Sequence, residues 1–229
     1  NGTGKITNTS YDNSQATAVK IQADGKILVG GYFQNTGGLV TPFITRYDQF
    51  GTPDAGFNGT GTVAASPGRD ADLRGIAVLS DGKILTAGTT TNAINGTEDI
   101  VLIRYNADGT PDTTFGPDGT GSVFTDFNAG DEGAVSVGGD SSGKILVVAT
   151  YRKTSGQPLT TDFAVFRYNA DGVLDLTFGN GFGMVHPDFG GNLDDVAFAM
   201  QIQTDGKIVV VGAAGSGSNF DIGLARYWP

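Results

Sequence analysis

One short phrase in this chain is written four times. Asp24-Gly25-Lys26-Ile27 returns as Asp81-Gly82-Lys83-Ile84 and as Asp205-Gly206-Lys207-Ile208, with the variant Ser142-Gly143-Lys144-Ile145 between the last two. An Arg-Tyr pair follows each copy, at Arg46-Tyr47, Arg104-Tyr105, Arg167-Tyr168 and Arg226-Tyr227. The period of 57 to 63 residues constrains the fold more than any other feature. It is long for one coil of a solenoid and fits a repeated small sheet.

Between the markers, each unit reads as four short strands. Ile27 to Gly31, Ile84 to Ala87, Ile145 to Ala149 and Ile208 to Val211 are apolar runs after the Gly-Lys turn. Phe43 to Tyr47, Ile100 to Tyr105, Phe163 to Tyr168 and Ile222 to Tyr227 end in the Arg-Tyr pair. Segments before the turn, such as Ala18 to Gln22 and Ala197 to Gln203, form a third group. A fourth follows a Gly-x-Gly: Lys5-Ile6-Thr7, Thr62-Val63-Ala64, Ser122-Val123-Phe124 and Met184-Val185-His186. All are bounded by Gly, Asn or Asp, as strands are.

The connections are of two kinds. Asp-Gly-Lys predicts a tight hairpin, because glycine accepts the positive φ that such turns need. A longer connection follows Arg-Tyr and ends in Asp-x-x-Phe, at Asp54/Phe57, Asp112/Phe115 and Asp175/Phe178. The Phe is expected to plug the gap between neighbouring sheets. The Asp is expected to satisfy backbone N–H groups of the turn. The four Arg are expected to make a repeated hydrogen bond or ion pair between units, since function rarely needs four equivalent copies.

The two chain ends complement each other. The N-terminus supplies a spare Gly-x-Gly strand, and the last unit lacks one. A ring accounts for both and removes exposed strand edges. The expected fold is therefore all-β: a single domain over residues 1–229, built as a four-bladed β-propeller of four-stranded antiparallel blades. The N-terminal strand would close it against the C-terminal blade.

Composition excludes several alternatives. The 22 Asp against 2 Glu, and the 37 Gly, favour turns over helices. No run of about 18 apolar residues exists, so membrane insertion is not expected. Asn1 to Ser10 has neither a basic start nor an apolar core, so no secretory leader is expected there. With no Cys, disulfides and thiolate chemistry are excluded. A net charge of −10 argues against nucleic acid as a partner.

Three stretches carry a resemblance: Gln203 to Gly212, Asp221 to Tyr227 and Arg167 to Gly179. They resemble the delta-60 repeat family, a bacterial propeller-like repeat. The resemblance implies a secreted or cell-surface bacterial protein, often a module of a large adhesin-like chain. It implies no catalytic residues. Ser142 departs from the pattern in the third repeat. So does Thr41 in the first, where the others carry Asp99, Asp162 and Asp221 five residues before Arg.

In an antiparallel meander, consecutive loops alternate between two faces. The Asp-Gly-Lys turns and the Asp-x-x-Phe connections share one face and barely differ between repeats. The remaining loops share the other face and all differ, so that face is free to carry function. Candidate ligand-binding residues there are Tyr11, Tyr32, Asp72, Arg74, Asn95, Glu98, Tyr151, Arg152, Asp188 and Asn219. Amides and carboxylates beside aromatic rings suit a glycan or a protein partner.

Metal and catalytic readings are weaker. Asn106/Asp108/Asp112 and Asn169/Asp171/Asp175 superficially resemble calcium loops. They lack the Glu that an EF-hand requires, and turn chemistry explains them, so no metal or other cofactor is expected. Asp99, Asp162 and Asp221 form a possible second calcium ring, but are expected to bond to backbone N–H groups or a neighbouring Arg. His186 is the sole His, without a nucleophile elbow. The expectation is a non-enzymatic extracellular binding or adhesion module. The alternatives are a glycan-active enzyme using paired Asp on the variable face and a ligand-free spacer.

Overall fold

A computed structural model of the chain describes residues 4–8, 11, 13–65, 67–127, 130–152, 160–190 and 193–228. The described residues form strands and one short 3-10 turn. The first sheet comprises β1 (Ser14–Ile21), β2 (Ile27–Gln34), β3 (Val40–Tyr47) and β4 (Thr62–Ala64), paired in that order. The second comprises β5 (Gly75–Val78), β6 (Ile84–Thr91), β7 (Glu98–Tyr105) and β8 (Ser122–Thr125). The third comprises β9 (Asp131–Gly139), β10 (Ile145–Arg152), β11 (Thr161–Tyr168) and β12 (Met184–Val185). The last has three strands, β13 (Val196–Ile202), β14 (Ile208–Ser216) and β15 (Asn219–Tyr227). All pairings are antiparallel.

The sheets stand around a common axis. Lys20 of β1, Ala77 of β5, Val137 of β9 and Met200 of β13 line one central cavity of about 390 Å³. Apolar side chains fill the spaces between successive sheets. Leu28, Ile44 and Phe57 of the first meet Leu73, Ile76 and Ile103 of the second. Leu85, Leu102 and Phe115 meet Ile145, Val147 and Phe166. Leu146, Val148 and Phe163 meet Ala197, Ile208 and Val210. Each large apolar side chain sealed this way contributes about 1.5–3 kcal/mol.

The repeated turns form as their sequence dictates. Gly25, Gly82, Gly143 and Gly206 all take φ of 82–83°, and each turn is closed by a backbone bond such as Gly25 N–H to the Gln22 carbonyl at 3.0 Å. In the third repeat, Asp140 supplies the carboxylate that Ser142 lacks, accepting from Ser142 N–H and Lys144 N–H. Phe57 and Phe115 are fully buried plugs. Phe57 lies so close to Gly109 of the next unit that a Cβ there would stand 2.8 Å from its ring.

Among the described residues the expected ring closure is not observed: Lys5-Ile6-Thr7 forms no strand, and β15 pairs with β14 alone. The N-terminal segment is held by the first sheet instead. The Asn8 amide donates to Tyr47 Oη at 3.4 Å, and Ile6 fills the space above Gly51. Thr125 and Val123 of β8 contact Tyr168 and Gly172 of the next unit in the same way. The segment thus sits as the outer strand of a preceding sheet would, without that sheet's pairing. The outward side chains Phe198, Phe220, Ile222 and Leu224 of the last sheet stay exposed.

Candidate functional site

The two loop faces separate as the alternation requires. Lys26, in a hairpin turn, pairs with Asp54 of the long connection at 3.1 Å, so these share a face. Asn92 and Asn95, between β6 and β7, both donate to Asp126, which follows β8, so the variable loops share the other.

On the repeated face the Asp of each Asp-x-x-Phe connection meets cations. Arg104 Nε donates to Asp112 Oδ2 at 2.6 Å, and Lys83 Nζ reaches the same oxygen at 2.6 Å. Arg167 and Lys144 hold Asp175 alike, at 2.8 and 2.9 Å. The second oxygen of each accepts the turn N–H of Thr114 or Thr177, as expected. Burial works against the charged form of Asp112, but bonds from Lys83, Thr114 and Arg104 outweigh it and hold the carboxyl well below its usual range. The Thr177 hydroxyl and Lys144 do so for Asp175. Arg46, Arg104 and Arg167 each also lie over a Phe plug, Arg104 at 4.4 Å from the Phe115 ring, and Arg46 and Arg104 bond the Ala107 and Ala170 carbonyls of the next unit. Those two Arg are therefore inter-unit clamps. Asp108, in a loop that resembles a calcium site, accepts from Thr110 and serves the turn.

The variable face gathers carboxylates differently. Asp99 on β7, Asp126 after β8 and Glu132 on β9 each offer an oxygen, and these oxygens lie within 4.8 Å of one another at the junction of the second and third sheets. Asp99 and Glu132 are buried, whereas Asp126 is exposed. Glu132 Oε2 accepts the Phe127 N–H at 3.2 Å, but Glu132 Oε1 has no partner among the described residues. Burial, reinforced by the charges of Asp126, Asp99 and Asp131, pushes the Glu132 carboxyl up to about 8. Burial and Asp126 also raise Asp99, opposed by Thr97, Asn92 and the charge of Arg69. Phe127 stands edge-on to Tyr151 at 5.9 Å, forming an aromatic wall beside the cluster.

The residues expected from sequence fall into separate places. Tyr32, Asp72 and Arg74 come together between the first two sheets: Arg74 pairs with Asp72 at 2.7 Å and lies 5.9 Å from the Tyr32 ring. Asn95 belongs to the carboxylate cluster, and Tyr151 backs it. Glu98 is exposed beside Asp70 and Asp72 on a shallow depression of about 140 Å³, and its N–H bonds Asp131. Tyr11 stacks on Phe33 at 3.9 Å and fills a gap between rings. Arg152, Asp188 and Asn219 are exposed, and Asp188 caps its own loop through Gly190 N–H. Asp99 was expected to bond backbone or Arg; it accepts from the Thr97 hydroxyl and faces two other acids. Asp126 and Glu132 were not singled out. Their signal is positional: one of only two Glu in the chain stands where the next unit has Asp195.

This architecture defines a repeat protein of the β-propeller class. The model of a family described as a β-propeller domain of unknown function, DUF5122, matches residues 22–57, 79–115, 141–178 and 203–229, and the chain belongs to that family. No curated protein sequence matches it. Among solved structures, the chain is similar to an endo-arabinase from Bacteroides thetaiotaomicron, with 12% identity and a TM-score of 0.52, over 98% of this chain and 80% of that one. It also matches an ulvan lyase of polysaccharide lyase family 25, with 13% identity, a TM-score of 0.48 and coverage of 97% and 57%. A mannose phosphorylase from Leishmania mexicana matches at 10% identity, a TM-score of 0.48 and coverage of 95% and 64%. At these identities the likeness is one of fold, and the two weaker matches carry no argument. The expectation of a non-enzymatic chain is nonetheless corrected: the propeller it was read from is shared with an endo-arabinase, so the architecture gives no ground for excluding catalysis. Among the described residues no helix is long and apolar enough to cross a membrane.

Proposed function

We propose that this protein acts on a polysaccharide laid across its variable-loop face, at the junction of the second and third sheets. One observation carries the reading. Two strands and the loop after β8, from two sheets, bring Asp99, Asp126 and Glu132 together beside the carboxamides of Asn92 and Asn95. Carboxylates and amides bond sugar hydroxyls, and paired carboxylates are the usual machinery of glycoside cleavage. The fold shared with an endo-arabinase supports the same class of ligand. Asp126 is the one exposed member, so it is the carboxylate that meets substrate, while Asp99 and Glu132 lie behind and position it.

The test is turnover of a polysaccharide panel that includes arabinan. Asp126→Asn should cost at least about 100-fold in rate, the scale of a lost acid or base, with melting unchanged. No turnover by folded protein, or full turnover by the variant, overturns the reading. The delta-60 resemblance supports placing the protein outside the cell or on a bacterial surface. Antibody labelling of intact cells should detect it there; recovery from cytosol alone contradicts the placement.

A further inference from the structure

We propose that Asp99, Asp126 and Glu132 form a binding site for a divalent cation of the calcium class. This goes beyond the polysaccharide reading and stands without it. An oxygen-liganded calcium ion has bonds of about 2.3–2.6 Å, so oxygens on one ion lie no more than about 5 Å apart. One oxygen from each of the three residues meets that limit, at 4.8 Å or less. The donor set is entirely carboxylate, which selects hard cations over zinc or copper.

The independent observation is Glu132 Oε1. It is fully buried and without a hydrogen bond among the described residues, on a carboxylate that belongs to the cluster. No Lys or Arg among the described residues forms an ion pair with Asp99 or Glu132. A buried carboxylate oxygen left this way is costly unless a charge or donor meets it. A cation supplies that charge, and exposed Asp126 gives it a path from solvent.

The next junction is an internal control. Glu132 pairs across from Tyr151, as Asp195 extends the register opposite Ala214, and Asp126 corresponds to Asp188. There Asp195 spends one oxygen on Gly215 N–H at 2.9 Å and the other on Phe189 N–H at 3.2 Å. Asp188 accepts from Gly190 N–H. One methylene less lets Asp195 settle onto backbone donors. Glu132, one methylene longer, places only one oxygen on a backbone donor, Phe127 N–H, and leaves the other without one. At the first junction, Thr41 and Ala71 stand in place of the two buried acids. The next junction also holds a buried acid, Asp162, in the place of Asp99, so the two junctions differ in how Glu132 and Asp195 are met and not in the number of acids.

The experiment is calorimetric titration of calcium chloride into the chelator-treated full chain, with a melting curve at each end point. We expect saturable binding of one ion and a rise of several degrees in Tm. Glu132→Gln and the exposed Asp126→Asn should each weaken binding at least tenfold, while Asp188→Asn leaves it intact. Absence of saturable binding by folded wild type overturns the proposal. So does binding that both cluster variants retain, or that Asp188→Asn loses equally.

Discussion

The two faces of the propeller use the same carboxyl chemistry to opposite ends. On the repeated face, Asp112 and Asp175 each sit between an Arg and a Lys, with the second oxygen on a turn N–H. On the variable face, Asp99 and Glu132 are equally buried, and no described Arg or Lys pairs with them. The first arrangement is compensated and recurs in three units. The second has no ion pair to its buried acids among the described residues. Charge compensation, more than the presence of acid, distinguishes scaffold from candidate site.

The largest effect should come from breaking a scaffold clamp. Arg104→Ala leaves Asp112 buried with Lys83 alone and removes the bond to Ala170, so a loss of about 3–5 kcal/mol in denaturant unfolding is expected. Arg226, its exposed counterpart in the last unit, has no Asp clamp among the described residues; its Ala variant should lose under about 1 kcal/mol. Equal losses would break the distinction between clamped and unclamped units.

A smaller effect is expected in acid. The folded carboxyls of Asp112 and Asp175 titrate below their unfolded value of about 3.9. Their stabilisation is therefore present above that pH and is lost as pH falls below it toward the folded values. Asp175→Asn should be less stable at neutral pH and should lose less further stability between about pH 4 and 2. Parallel acid curves for variant and wild type would show that the clamp does not set the acid response.

The smallest effect on stability belongs to the rim. Arg74 is half-exposed, and its pair with Asp72 is screened by solvent. Arg74→Ala should change unfolding by under about 0.5 kcal/mol. A larger loss in melting would place this pair in the scaffold.

Much of the scaffold was legible in sequence because it repeats. The Asp-Gly-Lys turns, the Phe57 and Phe115 plugs and the Arg clamps are local or recur at a fixed period, so one copy interprets the others. Ring closure was not legible. It depends on whether Lys5-Ile6-Thr7 pairs with β15, a long-range choice that no local pattern fixes. The Asp99–Asp126–Glu132 cluster was hidden for a related reason. Its members come from β7, the loop after β8, and β9, across two sheets, and only the packing of those sheets brings them together. The variable face itself was readable from loop alternation, whereas the expected rim residues divide among several places on it.

The comparison between faces is tested most directly by melting Asp112→Asn and Glu132→Gln side by side, in chelator at pH 7. Asp112→Asn strips a compensated carboxylate from Arg104 and Lys83, and should lower Tm by roughly 5–15 °C. Glu132→Gln removes a buried carboxyl that burial and neighbouring charges hold up at about 8. The unfolded chain releases that proton above about pH 4.3, so wild type must take it up again to fold at pH 7. The variant is spared this cost, and its Tm should rise. Opposite shifts are the predicted result; a fall in both variants would contradict it.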